Sequence, residues 1–322
     1  MTEMTLIESI RDTIDKEMQS NDKILLMGED VGRTGGVFRA TDGLLKKYGS
    51  DRIIDTPLSE SGIIGTAIGL AIRGMRPIAE LQFMGFSYPA YDQIISHASR
   101  IRNRSRGQYT CPLVIRSPMG GGVGALEHHE ESTETIYAHI PGLKVAMPST
   151  PYDAKGLLTS SLRGNDPVMF LEPKKLYRSF REEVPEENFT IPFGKAKIVQ
   201  EGDDITIISW GAMTEFVKQT IQESNHSIEF IDLRTLNPFD IDTIVSSVKK
   251  TGRVIVVHEA AKTAGFGAEI SATINEECLM YLKAPIVRVT GYDIIFPLKK
   301  METMYLPTPD KIQNAVEKVM AY

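Results

Sequence analysis

Cysteine is nearly missing from this sequence: Cys111 and Cys278 are the only two among 322 residues, far apart and in no CxxC or metal-ligand spacing. A disulfide framework is thereby excluded, and a reducing, cytoplasmic setting is expected. Long apolar runs are missing too. No stretch reaches membrane-spanning length, and Met1-Thr2-Glu3-Met4-Thr5 offers neither the basic start nor the apolar core of a signal peptide, so no membrane association is expected. Positive charge is in deficit. Thirty-six Lys and Arg stand against 42 Asp and Glu, a net charge of -6, which argues against a nucleic-acid partner because phosphate binding needs a concentrated basic face. Arg100, Arg102, Arg104 and Arg106 form the one local exception, best explained as a solvated helix end or a subunit contact.

What is present is the composition of a globular chain, 42% hydrophobic and 24% charged, with a length suited to two domains. Thr5-Leu6-Ile7-Glu8 has capping-box form, and Leu6, Ile7, Ile10, Ile14 and Met18 continue at helical spacing. Short apolar runs at 23–27, 52–55, 76–83, 113–116, 144–147 and 168–171 read as buried strands. Helical stretches are expected between them, at about 40–48, 62–74, 89–103 and after Thr150-Pro151. This alternation predicts an α/β fold, a mainly parallel sheet with helices on both faces. The polar segment 181–198, rich in glutamate and bounded by proline, is the expected linker between a first domain, 1–180, and a smaller α/β domain, 199–322. Four strands are expected in the second domain, at 205–211, 228–232, 254–258 and 286–289, and a final helix follows Thr308-Pro309-Asp310.

Three places carry candidate chemistry. In Asp55-Thr56-Pro57-Leu58-Ser59-Glu60, a turn delivers one carboxylate to the mouth of a small-residue helix, where Glu60 is either a cap favoured by the helix dipole or a catalytic group. Gly28-Glu29-Asp30 sets acids at the carboxyl end of a strand, the edge where α/β folds form ligand sites. Glu127-His128-His129-Glu130-Glu131 follows the flexible Gly120-Gly121-Gly122-Val123-Gly124. Adjacent side chains rarely converge on one ion and no third ligand has a recognised spacing, so no metal is expected there; a histidine after such a loop is a candidate for proton transfer.

Taken in order, Gly28-Glu29-Asp30, Asp55 to Glu60, His128-His129, Ala138-His139-Ile140-Pro141-Gly142-Leu143-Lys144-Val145, Asp232-Leu233-Arg234-Thr235-Leu236, and His258-Glu259 leading to Gly265-Phe266-Gly267-Ala268-Glu269 span the chain. This set resembles the β subunit of the E1 component of 2-oxo acid dehydrogenase complexes. The resemblance implies a thiamine-diphosphate pyrimidine-binding domain followed by a transketolase C-terminal-type domain. It implies that Glu60 is the glutamate that hydrogen-bonds N1′ of the aminopyrimidine, that Leu58, Phe83 and Phe86 wall its pocket with Phe86 beside the cofactor, and that Glu29 joins a polar path linking cofactors. Counting back from His139 aligns the family histidine with His129 and the preceding tyrosine with His128, which leaves His128 as the alternative. The family's Gly-Asp-Gly and later Asn, which hold diphosphate and Mg2+, do not occur. An α subunit is therefore implied to supply them in an α2β2 heterotetramer with a β–β contact, docked onto an E2 dihydrolipoyl acyltransferase. The family's potassium loop would fall near Gly164, Asn165 and Asp166, where the ligand pattern differs. The implied activity is decarboxylation of a 2-oxo acid, branched-chain first and pyruvate next, with reductive acylation of lipoyl groups. Two alternatives are the C-terminal half of a split transketolase and a noncatalytic assembly subunit.

Overall fold

The computed structural model describes all 322 residues. Its strands are β1 Thr2–Met4, β2 Ile24–Gly28, β3 Ile53–Asp55, β4 Arg76–Glu80, β5 Val114–Met119, β6 Lys144–Ala146 and β7 Val168–Pro173, then β8 Glu182–Val184, β9 Lys197–Gln200, β10 Ile205–Ser209, β11 Ile228–Asp232, β12 Thr235–Asn237, β13 Val254–Ala261 and β14 Val287–Gly291. The first sheet has the order β12-β6-β7-β5-β4-β2-β3, and the second β14-β13-β10-β11-β9. Within the first sheet only β12 runs antiparallel, against β6; within the second only β9 does, against β11.

Both faces of the first sheet are covered, and β2 shows how. Ile24 and Leu26 point into a core shared with Leu6, Ile10, Ile14 and Met18, while Leu25 and Met27 point into another shared with Ile63, Ile64, Ala67 and Ile68. Successive strand residues face opposite sides, so a continuous apolar run is what a strand buried on both faces requires. Helix Leu6–Ser20 starts at the expected capping box: Thr5 Oγ1 accepts from the Glu8 N–H, and the Glu8 carboxylate accepts from the Thr5 N–H at 2.9 Å. Its four core side chains are fully buried, each worth about 1.5–3 kcal/mol, and truncating Ile10 to Ala would cost about 2–5 kcal/mol. Each core continues into the second sheet, through Ile205 and Phe230 on one side and Ile208 and Ile231 on the other.

Three features add to the expected layout. Residues 89–103 are helical throughout, as expected, but not as one regular α-helix. A 3-10 stretch Met84–Ala90, which contains Pro89, runs on into a π stretch Gln93–His97, a 3-10 stretch Ala98–Arg100 and a short α-helix Ile101–Arg104, so the hydrogen-bond step changes along one helical segment. Part of the expected linker is structured, because β8 pairs antiparallel with β1. The second half of the chain also lends β12 to the first sheet, a long-range pairing that periodicity cannot show. Both cysteines are free and buried, and no helix is long and apolar enough to cross a membrane.

Candidate active site

The carboxyl ends of β2, β3 and β4 converge on one edge. Gly28 ends β2 so close to β4 that a Cβ there would stand 2.7 Å from the Glu80 carbonyl oxygen, and its φ of +157° suits glycine. Glu29 follows directly. Asp55, ending β3, accepts from the backbone N–H of Gly32 at 2.5 Å and of Arg33 at 3.1 Å, fixing the loop after Glu29. The chain then turns through Pro57 into helix Glu60–Ile72.

Glu60 is not the cap of that helix. Ser59 is the N-cap residue, its Oγ accepting from the Gly62 N–H at 3.3 Å. Glu60 is the first helical residue, partly buried, and its carboxylate takes part in no hydrogen bond or ion pair within the chain. Glu29 is its neighbour: desolvation, then the charges of Asp30 and Glu60, raise the Glu29 carboxyl above its ordinary range. Leu58, by contrast, is 71% exposed, so the wall expected of it is not assembled within this chain.

The aromatic residues after β4 meet the histidine loop. Phe83 is buried, and its ring lies 5.2 Å edge-on from Phe86. The His129 ring packs edge-on against both, at 4.6 Å from Phe83 and 5.0 Å from Phe86. Its Nδ1 is buried without a partner. His128 also lies against Phe86, its ring tilted at 5.3 Å, and 5.9 Å from Tyr88, but on the exposed side of the cluster. Its Nδ1 lies 3.5 Å from Glu131 Oε1, and its side chain is 46% exposed; Tyr88 donates its hydroxyl proton to the same glutamate. Gly85 passes so tightly under the His128 carbonyl that any side chain would collide with it.

Directly below this edge lies a charge network that was not anticipated. Arg116 on β5 donates to Glu172 on β7 through Nε (2.6 Å) and a terminal nitrogen (2.9 Å), and to Glu80 on β4 at 2.7 Å. The Tyr177 hydroxyl donates to Glu172 at 2.6 Å. Burial works against the Arg116 charge, yet Glu172 and Glu80 outweigh it and raise its pKa; Glu80 is raised by desolvation, which Arg116 opposes. A signal existed in the sequence, since each charge sits in or ends an apolar strand run.

Other landmarks fall outside this edge. His258 is fully buried, stacked on Trp210 at 5.3 Å and held neutral, its pKa lowered to about 3 by desolvation. In the loop of Gly164, Asn165 and Asp166, the Arg76 guanidinium donates to Leu162 O (2.9 Å), Asn165 Oδ1 (3.2 Å) and Gly164 O, while Asp166 pairs with Arg102 at 2.6 Å. Protein cations therefore occupy those oxygens. A cavity of about 700 Å³ lies at the amino-terminal edge of the sheet among Arg102, Arg106, Lys144 and Asp166, away from Glu60. No three His, Cys, Asp or Glu side chains group to hold a metal ion.

What this edge can hold follows from what is unpaired. A free carboxylate and an orphaned imidazole nitrogen, with the aromatic rings of Phe83 and Phe86 packed about that imidazole, suit a flat heteroaromatic group with a polar rim. They offer nothing for a diphosphate. Family models agree with that division: "Transketolase, pyrimidine binding domain" matches residues 2–179, and "Transketolase, C-terminal domain" matches residues 194–312. The chain is 50% identical over 322 residues to the pyruvate dehydrogenase E1 component subunit beta of Acholeplasma laidlawii, covering 99% of this chain and 98% of that one. It is also 50% identical over 325 residues to the protein of the same description from Bacillus subtilis (strain 168), covering 100% of each. A solved split gene transketolase, described as an inactive beta4 tetramer, superposes with a TM-score of 0.81 at 21% identity over 99% of this chain and 98% of that one, a likeness of fold.

Proposed function

The chain belongs to the β-subunit family of 2-oxo acid dehydrogenase E1 components, and from that premise we propose that it decarboxylates pyruvate jointly with a separate α subunit and acylates the lipoyl group of an E2 acyltransferase. Its cofactors are thiamine diphosphate and Mg2+, shared with that α subunit. The single observation carrying the reading is Glu60, a carboxylate at a helix start whose capping duty Ser59 has taken over. Thiamine diphosphate, when bound, supplies the electron sink that lets carbon dioxide leave a 2-oxo acid.

The chain's own residues have defined tasks in this reading. Glu60 holds the proton at N1′ of the aminopyrimidine, and a charge-assisted hydrogen bond of this kind is strengthened where water is excluded. Phe83 and Phe86 exclude water beside it. His129, with its free Nδ1, donates to or accepts from substrate oxygens and assists acyl transfer. Glu29 neighbours Glu60, its carboxyl raised by desolvation and by the charges of Asp30 and Glu60, and is assigned to the polar path linking cofactors. Chemistry waits for the α subunit, because this chain has no group of side chains suited to Mg2+ and diphosphate; an α2β2 assembly with a β–β contact is part of the same reading, taken from the family.

The substrate order expected from the sequence, branched-chain before pyruvate, is reversed here, since the relatives at 50% identity carry pyruvate dehydrogenase names. Reconstitution with the cognate α chain tests the reading. Release of carbon dioxide faster from pyruvate than from a branched-chain 2-oxo acid, lost on Glu60→Ala, is the expected result. Activity that survives Glu60→Ala would return Glu60 to a structural role and favour an assembly subunit, and ketol transfer between sugar phosphates would favour a split transketolase.

A further inference from the structure

The segment from Gly120 to Ser132, which carries His129, contains little regular structure beyond the turn Glu127–His129. Its position is therefore set by what grips it. Lys174, just after β7 and only 4% exposed, donates from Nζ to the His129 carbonyl oxygen at 2.8 Å. From the second sheet, Glu259 on β13 accepts from the Gly121 N–H and from the Ser132 hydroxyl, the latter at 3.0 Å. Phe296 lies against Gly121 and the Lys299 stem against Gly124. Both ends of the loop and its histidine backbone are thus held, and two of the grips are buried charges.

A buried ammonium is a poor choice for packing alone, because its desolvation is costly and an apolar side chain of the same length would fill the space. We propose that Lys174 and Glu259 are positioning residues that set the His129 imidazole against Phe83 and Phe86, which rests on the role of His129 given above. The clamp joins the two halves of the chain: Lys174 follows the last parallel strand of the first sheet, Glu259 belongs to the second, and the loop is caught between them. The charged groups facing Lys174 are Glu259, Glu130 of the loop and Glu302 of the short helix Glu302–Tyr305; Lys175 faces Glu259 and Glu302. Burial lowers Lys174 to about 8 and the three carboxylates oppose that fall, so its ammonium loses its proton, and its grip weakens, as pH rises through that value.

The test uses the reconstituted α2β2 enzyme, pyruvate and lipoyl E2, with Lys174→Met, Lys174→Arg, Glu259→Gln and His129→Ala. Misplacing a reacting group by about 1 Å costs on the order of a hundredfold, so Lys174→Met should lower kcat for lipoyl acylation by roughly ten- to a hundredfold. Glu259→Gln should cost less, and Lys174→Arg should restore most of the rate. On a His129→Ala background Lys174→Met should cost almost nothing more, since its effect passes through that imidazole; an undiminished further loss would overturn the proposal. In wild type the rate should fall above about pH 8, and Lys174→Arg should remove that limb, because guanidinium stays charged. If Lys174→Met does not assemble, this pH profile decides: an unchanged limb in Lys174→Arg defeats the clamp. A wild-type rate for Lys174→Met beside an impaired His129→Ala removes the clamp alone, whereas a wild-type rate for His129→Ala removes the reading of His129 and the clamp with it.

Discussion

Four glutamates stand at or just beyond the carboxyl ends of the first sheet's strands, and they have two fates. Glu80 and Glu172 are buried, share Arg116, and have Tyr177 closing the set. Glu29 and Glu60 are partly exposed, and neither carboxylate has a partner in the chain. A buried charge is tolerated only when paired and hydrogen-bonded, so the first pair is what the fold needs to exist. The second pair is not needed by the fold. An unpaired carboxylate beside a second one, at the sheet edge where ligands bind, marks a place kept for a group from outside.

The largest expected effect separates these fates most sharply. Glu60→Ala should cut kcat of the reconstituted enzyme by about 10²–10⁴-fold, the range of positioned proton-transfer groups. The melting temperature of the chain should hardly change, because surface substitutions away from special features stay within about 0.5 kcal/mol. A large loss of stability without loss of rate would break the comparison. Arg116→Met should do the reverse, removing about 3–5 kcal/mol of stability by stranding two buried carboxylates, as read from urea unfolding.

Glu134 sharpens the contrast as a third case, fully buried with one oxygen bonded to Trp210 Nε1 at 3.2 Å and the other unpaired. Desolvation pushes its pKa up to about 7 from an ordinary 4.5. The folded state thus binds the proton more tightly than the unfolded one, and the stability this adds is complete below about pH 4.5 and lost as pH rises through about 7. Its total is about 3 kcal/mol. Subtracting melting curves of Glu134→Gln from wild type across pH 4–8 should show that slope, and parallel curves would mean Glu134 stays charged. Smallest is His128→Ala: its imidazole is exposed and tied to Glu131, so a change in rate within about twofold is expected where His129→Ala costs about tenfold or more. Equal losses would erase the distinction between the two histidines.

Much of this was legible without coordinates. Most strands of the two sheets, β9 and β12 excepted, the capping box at Thr5, the turn before Glu60 and the order of landmarks are local signals, carried by periods of two and 3.6 residues and by turn chemistry. Less legible were groups whose meaning depends on a distant partner. Arg116 and Glu172 are 56 positions apart, and Gly121 and Glu259 are 138 apart; no spacing rule joins them. The helical stretch expected over 89–103 is present, though it switches between 3-10, α and π hydrogen bonding, which an apolar pattern does not foretell. Leu58, expected in the pocket wall, is apolar and exposed, with nothing in this chain to cover it.

By itself, then, the sequence determined the α/β alternation, the delivery of one carboxylate to a sheet edge, and the lack of a diphosphate motif that makes this half of a site. Only the tertiary structure decided that Ser59 and not Glu60 caps the helix, that His129 packs against both Phe83 and Phe86 while His128 meets only Phe86 of the two from the exposed side, that β12 crosses into the first sheet, and that Arg116 pairs with the two glutamates beneath. The physical reason is range. Backbone preference and side-chain periodicity act over a few residues, whereas burial and pairing of charge are settled between segments that meet only when the chain has folded.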